Sequence, residues 1–229
     1  MQKLLLSVSF DKSFDFSYIF KTIITKWYYY LVLAVVIALI ICLLFIKKQS
    51  KRNNLSRTQK IVYTGILSSF CALANILDIP VNASLQLSLV ATVGFVAGYL
   101  LGGGLGFAVC FIGDLVGGIV APKGPYNPII AIGTGLWGLI PGLAFTFFRG
   151  NDIVKIIISY ILGFLIISLG INTIGYALMY PKYTTLLYSL SMSPFKLISV
   201  VVNAILSIGL LITLKKVLPK DKFIFLNNN

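Results

Sequence analysis

Long apolar runs dominate this chain, and they constrain its fold more than any other feature. Each of seven runs is close to the length of about 20 residues that crosses the roughly 30 Å hydrocarbon layer of a bilayer as a helix. Hydrophobic residues make up 58% of the 229 residues and charged residues only 11%. The sequence therefore predicts an all-α, polytopic membrane helical bundle. The seven predicted spans are Trp27–Ile46, Ile61–Ile79, Leu85–Leu101, Leu105–Ala121, Pro128–Phe148, Ile153–Met179 and Leu197–Leu214.

Glycines recur at short intervals in the middle of the chain. The third and fourth spans lie almost back to back around Gly102-Gly103-Gly104, where glycine allows the chain to reverse. Small residues then recur at spacings of three and four, which predicts close helix packing because helices in lipid associate through small residues. These positions are Gly106, Cys110, Gly113 and Gly117 in the fourth span, and Gly135, Gly138 and Gly142 in the fifth.

The formal net charge of +13 is distributed as a topology signal. Lysine and arginine fill the connection 47–60, flank the connection after Phe148 and crowd the C-terminus. With seven spans, all three clusters fall on one side of the membrane. The positive-inside rule then places the N-terminus outside the cell and the C-terminus in the cytoplasm of a multi-pass plasma-membrane protein.

The residues that most enzymes and metal sites require are missing from the sequence. It contains no histidine, and Cys42, Cys71 and Cys110 each lie singly in an apolar run. The six acidic residues are scattered, and no phosphate-binding loop or nucleophile motif occurs. We therefore expect no enzymatic activity, no metal and no cofactor, and we expect that any ATPase resides in another protein.

Polar residues cluster towards the predicted outer side. Asp114 lies in a glycine-rich span, just before a loop that carries Lys123, Tyr126 and Asn127. A carboxyl group inside a membrane segment is costly and usually functional. We predict a substrate pocket open to the outside, formed by Asn75, Asp78, Asp114, Lys123, Tyr126, Asn127, Asn172, Thr173 and Lys196. In the alternative, Asp114 and Asn172 are structural hydrogen-bonding residues, Tyr126 is an interfacial aromatic, and Asp78 and Lys123 are solvated charges.

The block Leu105–Phe148, with GDL, then PKGPYNP, then a helix reading IGTGLWGLIPGL, resembles the substrate-binding S components of energy-coupling factor (ECF) vitamin transporters, most closely the folate group. The segment INTIGYALMY at 171–180 and the span from Lys60 to Leu77 are also similar to that family. The resemblance covers roughly residues 60–218 and implies a six-helix, vitamin-binding core with one extra N-terminal transmembrane helix.

The resemblance also implies partners. An S component docks onto a membrane-embedded coupling protein that carries two cytoplasmic ATPases, and small residues on the first core helix form the contact. Here these residues are Gly65, Ser68, Ser69 and Ala72, with packing inside the bundle as the alternative role. The division that follows is an N-terminal extension with one anchor and a basic linker (1–59), a substrate-binding core (60–218) and a cytoplasmic tail (219–229).

Two departures from the folate pattern leave the ligand open. The loop reads PKGPYNP, and Lys196 stands where an arginine is commoner in the last helix. Riboflavin, pantothenate and a queuosine precursor are alternative ligands. A membrane-embedded lipid-modifying enzyme and a scaffold protein are alternative functions.

Overall fold

The computed structural model describes residues 55–80, 86–122, 126–148, 150–179 and 193–218. These segments form a helical bundle, so the prediction of an all-α membrane fold is confirmed. The predicted N-terminal span Trp27–Ile46 lies outside the described residues. The helices are α1 (Arg57–Ile76), α2 (Val90–Leu101), α3 (Gly103–Val120), α4 (Pro128–Phe147), α5 (Asp152–Gly163), a π-helical segment (Phe164–Ile171), α6 (Asn172–Met179) and α7 (Ser193–Val217).

Local capping signals fix where several helices begin. Ser56 and Gln59 form a reciprocal capping box at the start of α1. Asn127 caps α4 by accepting a 2.9 Å hydrogen bond from the Ile129 amide, and Pro128 occupies the first turn. Both residue types suit these positions, because asparagine accepts from the free amides of a first turn and proline has no amide to satisfy.

The connection between α1 and α2 differs from the sequence prediction. The third span was expected to be helical from Leu85, but the helix begins only at Val90 and has twelve residues. Before it, two-residue strands β1 (Ile79–Pro80) and β2 (Gln86–Leu87) pair antiparallel, with Ile79 opposite Leu87. At 1.5 Å per residue α2 is about 18 Å long, which is shorter than the hydrocarbon layer.

Four helical segments among the described residues are long and apolar enough to cross a membrane. They are Gly103–Val120, Pro128–Phe147, Asp152–Gly175 and Lys196–Val217. The π-helical segment joins α5 and α6 into the third of these spans without a break. In α1, apolar side chains such as Ile61, Phe70 and Leu73 are exposed on the surface of the bundle, which suits contact with lipid or with another membrane protein.

Glycines bring α2, α3 and α4 into backbone contact. A methyl group at Gly98 would overlap the Gly138 carbonyl, and one at Gly138 would overlap the Gly106 carbonyl. Farther along α3, Gly113 lies against Ser68 and Cys71 of α1. The predicted close packing through small residues is therefore confirmed. Gly102, with a φ of 90°, makes the reversal between α2 and α3 that its lack of a side chain allows.

The far end of the bundle is held by charged residues. Asp152, at the start of α5, forms ion pairs with Lys155 at 2.8 Å and with Lys215 of α7 at 2.6 Å. The Lys155 ammonium also lies 5.2 Å from the centre of the Phe145 ring. These contacts join α4, α5 and α7 at the end opposite to Asp114.

Candidate functional site

Asp114 joins three helices. Its Oδ1 accepts a 2.8 Å hydrogen bond from the Asn75 amide group of α1 and a 3.1 Å bond from the Thr134 hydroxyl of α4. The Thr134 hydroxyl also lies 3.1 Å from the Ile130 carbonyl. This Asp114 cluster, made of Asn75, Asp114 and Thr134, lies less than about two turns from the loop-side ends of α3 and α4. A carboxyl group at this depth is thus supplied with donors from both neighbouring helices.

Tyr126 and Asn127 form the base of the loop that follows α3. The Tyr126 ring packs over Gly118 and stays 39% exposed. Partial burial, and then the negative charge of Asp114, raise the pKa of the Tyr126 phenol above its ordinary value, so it remains a neutral hydrogen-bond donor at physiological pH. Asn127 uses its amide nitrogen to donate a 3.0 Å hydrogen bond to the Gly175 carbonyl, which ties the loop to α6.

Asn172 is the first residue of α6, and its side-chain oxygen abuts Gly133 of α4. A methyl group at Gly133 would lie 2.9 Å from Asn172 Oδ1. This oxygen is shielded from solvent and accepts no hydrogen bond from any described residue. Buried polar atoms in proteins are nearly always hydrogen-bonded. The Asn172 oxygen is therefore a buried acceptor in this region that a donor from a ligand can satisfy.

Thr173 has a different environment. It is buried, and its hydroxyl donates a 3.2 Å hydrogen bond to the Ser168 carbonyl five residues earlier in the widened π-helical turn. The Thr173 hydroxyl therefore has a structural role in this part of the helix.

Asp78 and Lys196 lie at this same end of the bundle. Asp78 follows α1 and is half-buried, and its amide donates to the Asn75 carbonyl at 3.5 Å. Lys196 is half-buried near the start of α7. Lys123 lies outside the described residues. Among the nine predicted site residues, Asn75 and Asp114 are thus in direct contact. Asn127 and Asn172 both lie where α4 meets α6, Asn127 against Gly175 and Asn172 against Gly133.

Sequence reasoning missed three participants, namely Thr134, Gly133 and Gly175. Thr134 is one of two threonines in an otherwise apolar helix, and it is the one nearer to the Asn127–Pro128 cap. That isolation was a usable signal. The two glycines were not distinguishable from the many glycines that serve packing alone.

Two cavities lie elsewhere in the described part of the chain. One, of about 310 Å³, opens at the opposite end beside Asn151, Asp152 and Lys215. The other is an apolar groove of about 350 Å³ between α5 and α7, bordered by Ile161, Leu165 and Ile205. Neither borders the Asp114 cluster, and the connections 81–85, 123–125 and 180–192 lie outside the described residues.

The predicted docking residues fall on two faces of α1. Gly65 and Ser69 are exposed, and no atom lies within 4 Å of the place that a methyl group at Gly65 would take. The Ser69 hydroxyl donates a 3.0 Å hydrogen bond to the Gly65 carbonyl. Ser68 and Ala72 are buried, because they face Gly113 and Gly117 of α3. The four residues therefore do not form one continuous surface.

Comparison with known proteins supplies the family. The sequence profile of the ECF-type riboflavin transporter S component matches residues 54–219. No curated protein matches the chain. A solved structure, described as "Structure and mechanism of the S component of a bacterial ECF transporter", is similar to it with a TM-score of 0.56 at 18% identity, covering 70% of this chain and 98% of that one.

These matches confirm the predicted S-component resemblance and fold. They do not confirm the closer assignment to the folate group. Since the matched family consists of transporter components, the prediction that the chain is not an enzyme is confirmed. The family match spans most of the sequence, and the chain therefore belongs to the family of ECF-type riboflavin transporter S components.

Proposed function

We propose that this chain captures a small vitamin for an ATP-driven ECF uptake transporter, and that the vitamin binds at the loop end of the bundle, beside the Asp114 cluster. Membership of the S-component family gives the general role of a membrane-embedded transporter subunit. The observation that supports this location is the Asn172 side-chain oxygen, which is buried beside Gly133 and accepts no hydrogen bond from the described residues.

Riboflavin is the ligand that we propose first, because the matching family bears that name. An isoalloxazine ring has an imide N–H that can donate a hydrogen bond to Asn172 Oδ1. Its carbonyl oxygens can accept from a lysine ammonium, and Lys196 lies at the same end of the bundle. The exposed Tyr126 ring offers a face on which a flat ring can stack. Folate presents a pterin with a similar donor and acceptor edge, so it is the competing ligand.

The remaining predicted residues have two roles in this proposal. Asp78 supplies a charged group at this end of the bundle. Lys123, as a lysine of the loop sequence after α3, favours a ligand with an anionic or carbonyl group. Four other residues stabilise the helices around the site, since each forms a hydrogen bond within the protein. They are Asn75, Asp114, Asn127 and Thr173.

The partners are a coupling protein in the membrane and its two cytoplasmic ATPases. We place the coupling protein against the exposed Gly65–Ser69 face of α1, where small residues allow close approach of another helix. The lysine and arginine clusters support an N-terminus outside and a C-terminus in the cytoplasm. The family match from residue 54 supports a substrate-binding core at 60–218, between an N-terminal extension (1–59) that contains one membrane anchor and a cytoplasmic tail (219–229).

Ligand identification tests the proposal most directly. The purified protein in detergent should release a flavin, recognised by its absorbance and fluorescence, or should bind added riboflavin in titration calorimetry. Asn172→Ala should weaken that binding by roughly ten- to a hundredfold, because one hydrogen bond to a buried group is lost. Thr146→Val is the control, since that hydroxyl donates to the Gly142 carbonyl of its own helix near the opposite end of α4. Binding of folate and not riboflavin would refute the flavin assignment, and equal affinity of the Asn172 variant would refute the site.

A further inference from the structure

Two cavities lie one after the other along the interface between α5 and α7. The first, of about 310 Å³, lies between the first residues of α5 and the last turns of α7, and Ile153 and Ile212 border it. The second, of about 350 Å³, begins one turn farther along each helix, at Ile157 and Ile208. The two cavities therefore follow one line, from the Asp152 end of the bundle towards its middle.

The first cavity carries a positive charge. Asp152 and Lys215 border it and form an ion pair of 2.6 Å, and Asp152 also binds Lys155 at 2.8 Å. Two ammonium groups against one carboxylate leave one positive charge in excess. The Lys215 side chain is 29% exposed, so an anion can approach it from outside the bundle. Basic pockets between transmembrane helices near the membrane surface bind the headgroups of anionic lipids.

The second cavity is an apolar groove. Tyr160 forms its floor, and the Tyr160 hydroxyl is satisfied inside the bundle by the Ser207 hydroxyl at 2.6 Å and the Ala91 carbonyl at 3.2 Å. Both flanking helical segments are apolar enough to cross a membrane, so the groove faces the hydrocarbon layer. Its sides are apolar side chains that are exposed on the bundle surface, namely Ile157, Ile161, Leu165, Leu197, Val201 and Ile205.

The distance between the charged cavity and the groove suits the dimensions of a lipid. The groove begins about 8 Å from Asp152 along α5 and about 10 Å from Lys215 along α7, at 1.5 Å per residue. One leaflet supplies half of the roughly 30 Å hydrocarbon layer, so its acyl chains reach about 15 Å inwards. An acyl chain that starts beside Lys215 therefore extends into the groove. A phospholipid has a charged headgroup and apolar chains in this same order.

We propose that the interface between α5 and α7 binds an anionic phospholipid from the leaflet on the Asp152 side, with its phosphate at Lys215 and one acyl chain in the groove. The Lys215 ammonium donates a charge-assisted hydrogen bond to a phosphate oxygen. Asp152 holds that ammonium at the edge of the cavity through the ion pair. The lipid site lies at the opposite end of the bundle from the Asp114 cluster and does not depend on which vitamin binds there.

The first test removes the charge. The full chain in detergent is titrated with phosphatidylglycerol, and native mass spectrometry counts the bound lipid, with phosphatidylcholine of the same acyl chains as the reference. Lys215→Gln should weaken phosphatidylglycerol binding at least about fivefold, which is the contribution of one lysine near an anionic headgroup. Lys216→Gln is the matched control and should weaken binding less, because Lys216 is exposed and lines neither cavity. Equal weakening by both variants, or equal binding of the two lipids by the wild type, would overturn the proposal.

The second test blocks the groove and leaves every charge in place. Ile157→Trp puts a larger side chain where the two cavities meet, and it should weaken phosphatidylglycerol binding at least as much as Lys215→Gln does. Val154→Trp is the matched control and should bind like the wild type, because Val154 is similarly exposed, at 51% against 46% for Ile157, and borders neither cavity. Unchanged binding by Ile157→Trp would overturn the proposal, also in the case that Lys215→Gln does not fold.

A third test addresses the two other candidate occupants of the groove, which are the predicted span Trp27–Ile46 and a second copy of this chain. Ile157→Cys in a cysteine-free background would cross-link to a cysteine within 27–46 in the first case, and to the same position of the copy in the second. We expect neither disulfide when the full chain is oxidised in its membrane. Either cross-link in high yield would overturn the proposal, because the groove would then be filled by protein.

Discussion

Asn75 and Asp114 join the last turn of α1 to α3 through a 2.8 Å hydrogen bond. Thr134 adds a second donor to the same carboxyl oxygen from α4. One oxygen atom thus connects three helices inside the bundle. The arrangement gives Asp114 a structural role whether or not it also contacts the ligand.

Removal of this carboxyl should lower stability. Asp114→Ala leaves the Asn75 amide and the Thr134 hydroxyl with one partner fewer, which should cost about 1–3 kcal/mol. Thr134→Val should cost less, because the valine side chain loses the bond to Asp114 but keeps the volume. Thermal unfolding in detergent measures both. Thr146→Val is the control, since that hydroxyl donates to the Gly142 carbonyl of its own helix. An equal loss in all three variants would contradict the proposed role of the cluster.

Gly133 provides a steric probe of the ligand site. A methyl group there would lie 2.9 Å from Asn172 Oδ1 and about as close to Ile171 and Ile167, at 3.2 and 3.3 Å. Gly133→Ala should therefore displace the Asn172 side chain and weaken vitamin binding, in the same direction as Asn172→Ala. Titration calorimetry with riboflavin measures the effect. In the double variant the second change should add little, because both act on one side chain, and fully additive losses would separate Gly133 from Asn172.

The glycine contacts in the centre of the bundle should not tolerate alanine. Gly138→Ala would force a methyl group onto the Gly106 backbone, so α3 and α4 would have to separate. We expect strongly reduced recovery of folded protein in size-exclusion chromatography. Gly104→Ala should be neutral or stabilising, because nothing lies within 4 Å of a methyl group there and alanine favours a helix. Comparable recovery of both variants would contradict the close approach of the helices.

Membrane orientation can be tested by labelling single cysteines in a cysteine-free background. Cysteines within Lys47–Lys60 and at Asn151 should react only from the cytoplasmic side, and one at Gly124 only from outside. The reason is the distribution of lysine and arginine under the positive-inside rule. Reaction of position 124 from the cytoplasm would show that the count of spans is wrong.

Docking to the coupling protein should depend on the exposed face of α1. Leucine at Gly65 and Ser69 should abolish co-purification with the coupling protein and its ATPases while leaving vitamin binding intact, because bulk there keeps another helix at a distance. Gly209→Leu is the matched control, since Gly209 on α7 also has nothing within 4 Å. Intact assembly of the Gly65 and Ser69 variant would exclude this face.

The sequence predicted those parts of the structure that local chemistry decides. The apolar runs marked the helices, Asn127 and Pro128 marked the start of α4, and the glycine spacings marked the contacts of α3. The late start of α2 was only partly predictable. Ser88 accepts locally from the Val90 amide at 3.3 Å, but the Thr92 amide takes its acceptor from Asn203, over a hundred residues away in the chain. The partners of Asp114 were hidden for a similar reason, since the relative heights of α1, α3 and α4 are set by packing.

The π-helical segment determines the direction in which the side chains of α6 point. Each residue of an α-helix advances the side-chain direction by about 100°, and wide turns like those at Phe164–Ile171 slow that advance and absorb extra residues. Asn172 is the first side chain after the segment. Deletion of one residue from 164–171 would turn α6 by roughly a quarter of a revolution or more and aim Asn172 away from Gly133. The length of an apolar stretch with no chemistry of its own thus determines which way a polar group points.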